Sequence, residues 1–224
     1  MKILKHLKSW EGFLAILLLV IVIVNSLISE SFLSIENQIN LFVLSIEKVI
    51  IVLIMAKIII NAEIDLSVAS MMGLSACALG WFVESGMSMP MALIGSITIG
   101  AIGGAFNGFW ITVVKLPSLV VTLAMLIGFR GIARVLIGDR SIKMFPQWFE
   151  DLGQQPLFWN IPFSVMIFMA LLICVVIILE YTGFGRHIYT IGINQNVALY
   201  SGINVARVKM LLFIFSGIIS ALAG

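Results

Sequence analysis

Two carboxylates stand two residues apart in the run Asn61-Ala62-Glu63-Ile64-Asp65-Leu66-Ser67-Val68-Ala69-Ser70, with long apolar stretches on either side. Acids in that setting have two uses. Asp65 or Ser67 can cap the helix that follows, with both carboxylates near its positive end. Alternatively, the chain breaks within a membrane and the acids line a polar pathway, because irregular backbone at membrane depth is tolerated where it faces a cavity. In an ion-coupled carrier, Glu63 or Asp65 would then be the proton site. A second polar run, Tyr181 to Asn204, is punctuated by Gly183, Gly185, Gly192 and Gly202. Its glycines set off Asn194 to Ser201 as one or two helical turns lying along the membrane, with Val197, Ala198 and Tyr200 packing inward. Such a turn is either an ordinary interfacial loop or a lever for a soluble partner, fixed at both ends to helices that can move.

Other chemistry is missing from the sequence. Cys77 and Cys174 are far apart, and His6 and His187 form no zinc motif. No glycine-rich phosphate loop ending in Lys-Ser or Lys-Thr occurs. Energy for any work on a solute must therefore come from an ion gradient or a partner.

The elements that position these residues follow from composition. Hydrophobic residues make up 61% of the 224, against roughly 45–50% in an average soluble domain. Charge-free runs of 18, 18, 30, 28 and 15 residues follow Glu11, Asp65, Glu84, Asp151 and Lys209. A helix of about 20 apolar residues crosses the hydrocarbon of a bilayer. A soluble enzyme, a disordered chain and a disulfide scaffold are excluded, and a net charge of +2 with no basic stripe argues against nucleic acid. The fold expected is an all-α, polytopic transmembrane bundle in one domain, with the bilayer as its first partner.

Seven spans are predicted, at about Gly12–Ile28, Phe42–Ile60, Leu66–Val83, Met89–Val114, Ser118–Ile137, Ile161–Leu179 and from Val208 onward. An N-terminus inside places Lys2, Lys5, Lys8, Lys115, Arg186, Arg207 and Lys209 on the cytoplasmic side, with Lys57 near. Arg140 and Lys143 fall outside, with Arg134 near. Trp148, Phe149, Phe158 and Trp159 in the outer connection suit an aromatic belt. Within the spans, Gly100, Gly104 and Gly108 predict close helix packing. Asn107 and Trp110 are placed to touch a passing solute, Arg130 to form an internal ion pair with Glu47, and the twelve methionines to serve as flexible packing.

Three ordered segments resemble a known family. Glu63-Ile64-Asp65-Leu66-Ser67-Val68 is similar to the Gly-Ile-Asp-Leu-Ser-Val-Gly signature of ribose-type sugar ABC importer permeases. Leu116-Pro117-Ser118-Leu119-Val120-Val121-Thr122-Leu123 and Phe184-Gly185-Arg186 through Ser201-Gly202-Ile203-Asn204 resemble two further family motifs. Ala62-Glu63, Glu47-Lys48 and the stretch from Asp139-Arg140-Ser141-Ile142 to Gly153-Gln154-Gln155-Pro156 resemble the rhamnose-type subgroup, with autoinducer importers on the same scaffold. The resemblance implies a permease subunit, itself no enzyme and without a cofactor, because a partner subunit binds the ATP. It implies an ATPase subunit docking at Gly185, Arg186, Gly192, Asn194, Ala198, Ser201 and Gly202. It also implies a translocation path along Glu63, Asp65, Ser67, Asn107 and Thr122, a second permease, a periplasmic or extracellular sugar-binding protein, and a bacterial plasma membrane location. Where the family has Glu-Ala-Ala in the docking segment, this chain has Gln195, Asn196 and Val197 at or near those places. The family also continues past this length, so the resemblance implies a chain incomplete at its C-terminus.

Overall fold

The computed structural model describes residues 10–138, 140, 142, 145–154, 156–158 and 161–224. Lys2, Lys5, His6, Lys8, Asp139, Ser141, Lys143, Gln155 and Trp159 lie outside the described residues. The chain divides into two compact units, Met1–Ser45 and Ile46–Gly224. The first holds α1 (Trp10–Ile28) and α2 (Ile35–Val43). Ser34 caps α2 by accepting from the Asn37 amide at 3.2 Å.

The second unit is a helical bundle. It contains α3 (Ile46–Ile60), α4 (Val68–Glu84), α5 (Met89–Thr112), α6 (Ser118–Ile137) and α7 (Gln147–Gln154). A two-stranded antiparallel ladder follows, β1 (Pro156–Phe158) with β2 (Ile161–Pro162). Then come α8 (Phe163–Val176), continued by a wider π turn over Ile177–Tyr181, α9 (Gly183–Ile193), α10 (Gln195–Tyr200) and α11 (Val205–Ala223). The short ladder belongs to the connection after α6 and leaves the helical architecture unchanged.

Among the described residues, four helices are long and apolar enough to cross a bilayer: α5, α6, Phe163–Tyr181 and α11. The second predicted span is revised. Its start at Phe42 falls in α2, and a turn at Leu44–Ser45 separates it from α3. The 15 residues of α3 span about 22 Å, short of the roughly 30 Å of hydrocarbon.

The centre of this unit is α11, which packs against α3, α4 and α5. Glycines make the approach to α5 possible. A methyl group on Gly100 or on Gly217 would run into the other's carbonyl, and one on Gly104 would meet the Phe213 carbonyl. This is the small-residue packing predicted from the sequence. Met71 fills the space beside Gly103 and Phe129, and Met210 lies over Gly108, in the gap-filling use expected of methionine.

Arg130 departs from expectation. It is exposed on α6 together with Arg134, and no ion pair joins it to Glu47. The buried positions of α6, Val121, Thr122, Phe129 and Ala133, lie on another face. The ion pair found beyond α6 joins Arg140 to Glu84 across 3.4 Å, and both side chains are exposed.

Candidate functional site

The site is built around the break at 61–67. Helix α3 ends in a Schellman arrangement, in which the Glu63 amide donates to Ile58 O at 3.0 Å and the Ala62 amide to Ile59 O at 2.9 Å. Ala62 takes the left-handed conformation, φ +58°, where glycine is usual. Burial then alternates along the chain. Asp65 and Ser67 turn inward and are buried, 3% and 2% exposed, whereas Ile64 and Leu66 turn outward.

Both carboxylate oxygens of the inward set are held, whereas the buried Asn107 Oδ1 and Ser220 Oγ beside them lack a partner among the described residues. Asp65 Oδ1 accepts from the Ser67 amide at 2.9 Å and from Ser67 Oγ at 2.6 Å, and Asp65 Oδ2 accepts from Ser216 Oγ of α11 at 2.7 Å. Asn107 of α5, 1% exposed, donates through Nδ2 to Ser67 Oγ at 2.8 Å. The Ile64 amide donates to Ser118 Oγ at 3.2 Å, and Thr122 Oγ1 donates to Ser118 O at 2.8 Å and to Ile64 O at 3.4 Å. Of the two uses foreseen for the carboxylates, this geometry bears on the helix start. Asp65 satisfies an amide at the start of α4, and it does so inside the bundle. Its partner Ser216 stands 11 residues beyond Val205, about 16 Å along α11.

Of the five residues assigned to a path, only Glu63 borders an open cavity. Asp65, Ser67 and Asn107 surround a gap too narrow for a water molecule, into which Ser220 also faces. Thr122 is fully buried as a strut between α6 and the break. In this structure those four close the bundle. Trp110 is half-buried, edge-on to Phe106 and Phe109.

The open cavity measures about 800 Å³ and lies at the end of the bundle that carries Lys115. Glu63, Lys115, Ser118, Gln195, Asn204 and Lys209 supply its polar wall. From the sequence, Lys209 is read only as a cytoplasmic-side cation and Gln195 only as part of the docking segment; their meeting with Glu63 is not foreseen. Lys209 makes an ion pair with Glu63 and donates to Gln195 Oε1 at 2.9 Å. Glu63 lies 146 residues before Lys209, and only the folding of the break against α11 brings it to the other two.

The α9–α10 segment is fastened to the same break. Asn61 Nδ2 donates to Ile188 O at 3.3 Å, and Gly192 lies so near Ile60 that a side chain there would strike its carbonyl oxygen. Gly185 likewise approaches the Leu179 and Ile178 carbonyls. Asn194 caps α10, accepting from the Asn196 and Val197 amides at 2.9 and 3.2 Å. Ser201 and Gly202 end it, with Gly202 at φ +82°. Arg186 is exposed on α9.

The short helix is present as predicted, but its packing differs. Only Ala198 is buried, at 0% exposure, while Val197 and Tyr200 face outward, Tyr200 at 90%. A six-residue helix offers one narrow face to the bundle, and Ala198 occupies it. Ile193, Val197, Leu199 and Tyr200 thus form an exposed apolar rim.

Comparisons with known proteins give the family of the chain. The family described as "Branched-chain amino acid transport system / permease component" matches residues 37–224. The xylose transport system permease protein XylH of Haemophilus influenzae is 31% identical, over 76% of this chain and 62% of its own. The autoinducer 2 import system permease protein LsrC of an Enterobacter species is 32% identical, over 100% of this chain and 64% of its own. LsrD of Escherichia coli K12 is 33% identical, over 96% and 67%. The chain thus spans about two thirds of the length of these relatives. No solved structure matches it.

Proposed function

The chain belongs to the branched-chain amino acid transport system / permease component family, and from that premise we propose that it is a membrane-spanning permease subunit of an ABC importer. Its solute is a monosaccharide or a sugar-like molecule of similar size. The bundle forms part of the translocation path, and ATP hydrolysis belongs to a partner ATPase subunit. A second permease completes the path, and a binding protein outside the membrane delivers the solute. The Lys115 end then faces the cytoplasm of a bacterial cell, as the excess of basic residues favours.

One observation carries this reading. The apolar rim of Ile193, Leu199 and Tyr200 stands on the α9–α10 segment, whose α9 part is tied through Asn61 and Gly192 to the break beside the cavity. A soluble partner gripping that rim would hold an element tied directly to the cavity wall. The exposed members of the docking set, Arg186, Asn194, Ser201 and Gly202, lie in or beside this segment, while Gly185, Gly192 and Ala198 fix its position.

A cavity of about 800 Å³ whose largely apolar wall carries the polar groups of Glu63, Lys115, Ser118, Gln195, Asn204 and Lys209 can take a sugar-sized solute. The names of the relatives supply probes, and the resemblance to rhamnose-type permeases adds another. Uptake of labelled D-xylose, L-rhamnose, D-ribose and autoinducer 2 should be measured in vesicles holding this protein with its ATPase and permease partners. ATP-dependent uptake of one of them is expected. Uptake that persists without the ATPase and collapses with the proton gradient would instead assign the protein to ion-coupled carriers.

A further inference from the structure

We infer that Lys209 is a positioning residue for coupling: its one ammonium group ties the docking helix α10, through Gln195, to Glu63 on the cavity wall. This rests on the proposal that α9–α10 receives the ATPase subunit.

Three observations carry it. First, the ammonium has two partners on two different elements, the Glu63 carboxylate in the break and Gln195 Oε1 at the first position of α10. Second, the ion pair is largely withdrawn from water, the Lys209 and Glu63 side chains being 12% and 13% exposed. Salt therefore screens it less than a surface pair, and removing one partner leaves the other charge poorly compensated. Third, α11 holds the break twice on one face. Seven residues beyond Lys209, which is two turns, Ser216 binds Asp65. The pair at Lys209 and the bond at Ser216 fix both carboxylates of the break to one rigid helix.

The consequence is directional. Gln195 is exposed and sits on a short helix, so a partner pressing on α10 moves Gln195 relative to α11. Lys209 must then either follow Gln195 and draw on Glu63, or release it. Either way the charge arrangement at the mouth of the cavity changes with the position of α10. Asp65, two turns further into the bundle and without contact to α10, is the point about which the break turns.

The test is the number of solute molecules imported per ATP hydrolysed, measured in proteoliposomes with the assembled transporter and whichever labelled sugar the uptake assay identifies. Lys209→Met is expected to lower this ratio at least tenfold, and Gln195→Leu, at an exposed site that folding does not depend on, about threefold. Lys209→Arg should recover most of the loss, because it keeps the charge and can still reach both partners. The exchange Glu63→Lys with Lys209→Glu should exceed either single variant. A merely structural salt bridge would lower import and hydrolysis together and leave the ratio unchanged; that result, or an unaltered ratio in Gln195→Leu, overturns the inference while the docking proposal stands. If the ATPase subunit fails to bind the unmodified protein, both fall.

Discussion

The break at 61–67 and the docking segment α9–α10 touch each other, yet they sort their side chains in opposite ways. In the break, Asp65 and Ser67 point in while Ile64 and Leu66 point out. In α10, small Ala198 points in while Leu199 and Tyr200 point out. Polar groups of the first region find their partners inside the bundle. The second region leaves its polar caps exposed beside an apolar rim, the rim that the proposed function assigns to a protein partner. The contrast separates a part that is held from a part that is offered.

The largest expected effect tests how tightly the two regions meet. Gly192→Arg places a side chain against the Ile60 carbonyl and is expected to prevent α9 from seating, so that little folded protein is recovered by size-exclusion chromatography. Ala198→Asp is expected to act in the same direction, since position 198 is fully buried.

Next comes the held region. Asp65→Ala leaves the Ser67 and Ser216 hydroxyls and the Ser67 amide without their acceptor, at a cost of about 3 kcal/mol. A lower thermal midpoint in detergent is expected, with a loss of uptake beyond the loss of folded protein. A variant with unchanged stability would show that the cluster is not a structural tie.

The offered region should behave differently. Leu199→Ser with Tyr200→Ser is expected to weaken binding of the ATPase subunit about tenfold, roughly 1.4 kcal/mol, with the thermal midpoint unchanged. An equal fall in stability would erase the distinction between the two regions. The smallest effect concerns Ala62, whose left-handed backbone costs about 1 kcal/mol relative to glycine. Ala62→Gly should raise the midpoint by a few degrees and leave uptake near normal.

Much of this was legible in the sequence because the membrane imposes it locally. Span positions follow from charge-free runs, the small helix from Asn194 and Gly202, and the α5–α11 packing in part from the spacing of Gly100, Gly104 and Gly108. The split of the second span at Leu44–Ser45 was not legible, since apolar residues continue through that turn. Nor was the orientation of Val197 and Tyr200, because a six-residue helix shows too few turns to reveal its face.

The sequence by itself determined a helical membrane protein, its family, and two segments where chemistry concentrates, because hydrophobic length and short motifs are properties of neighbouring residues. Tertiary structure alone decided which polar groups meet. Lys209 lies 146 residues from Glu63 and Ser216 lies 151 from Asp65. Those pairings exist because glycines let α11 lie close to α5 while the break folds against both.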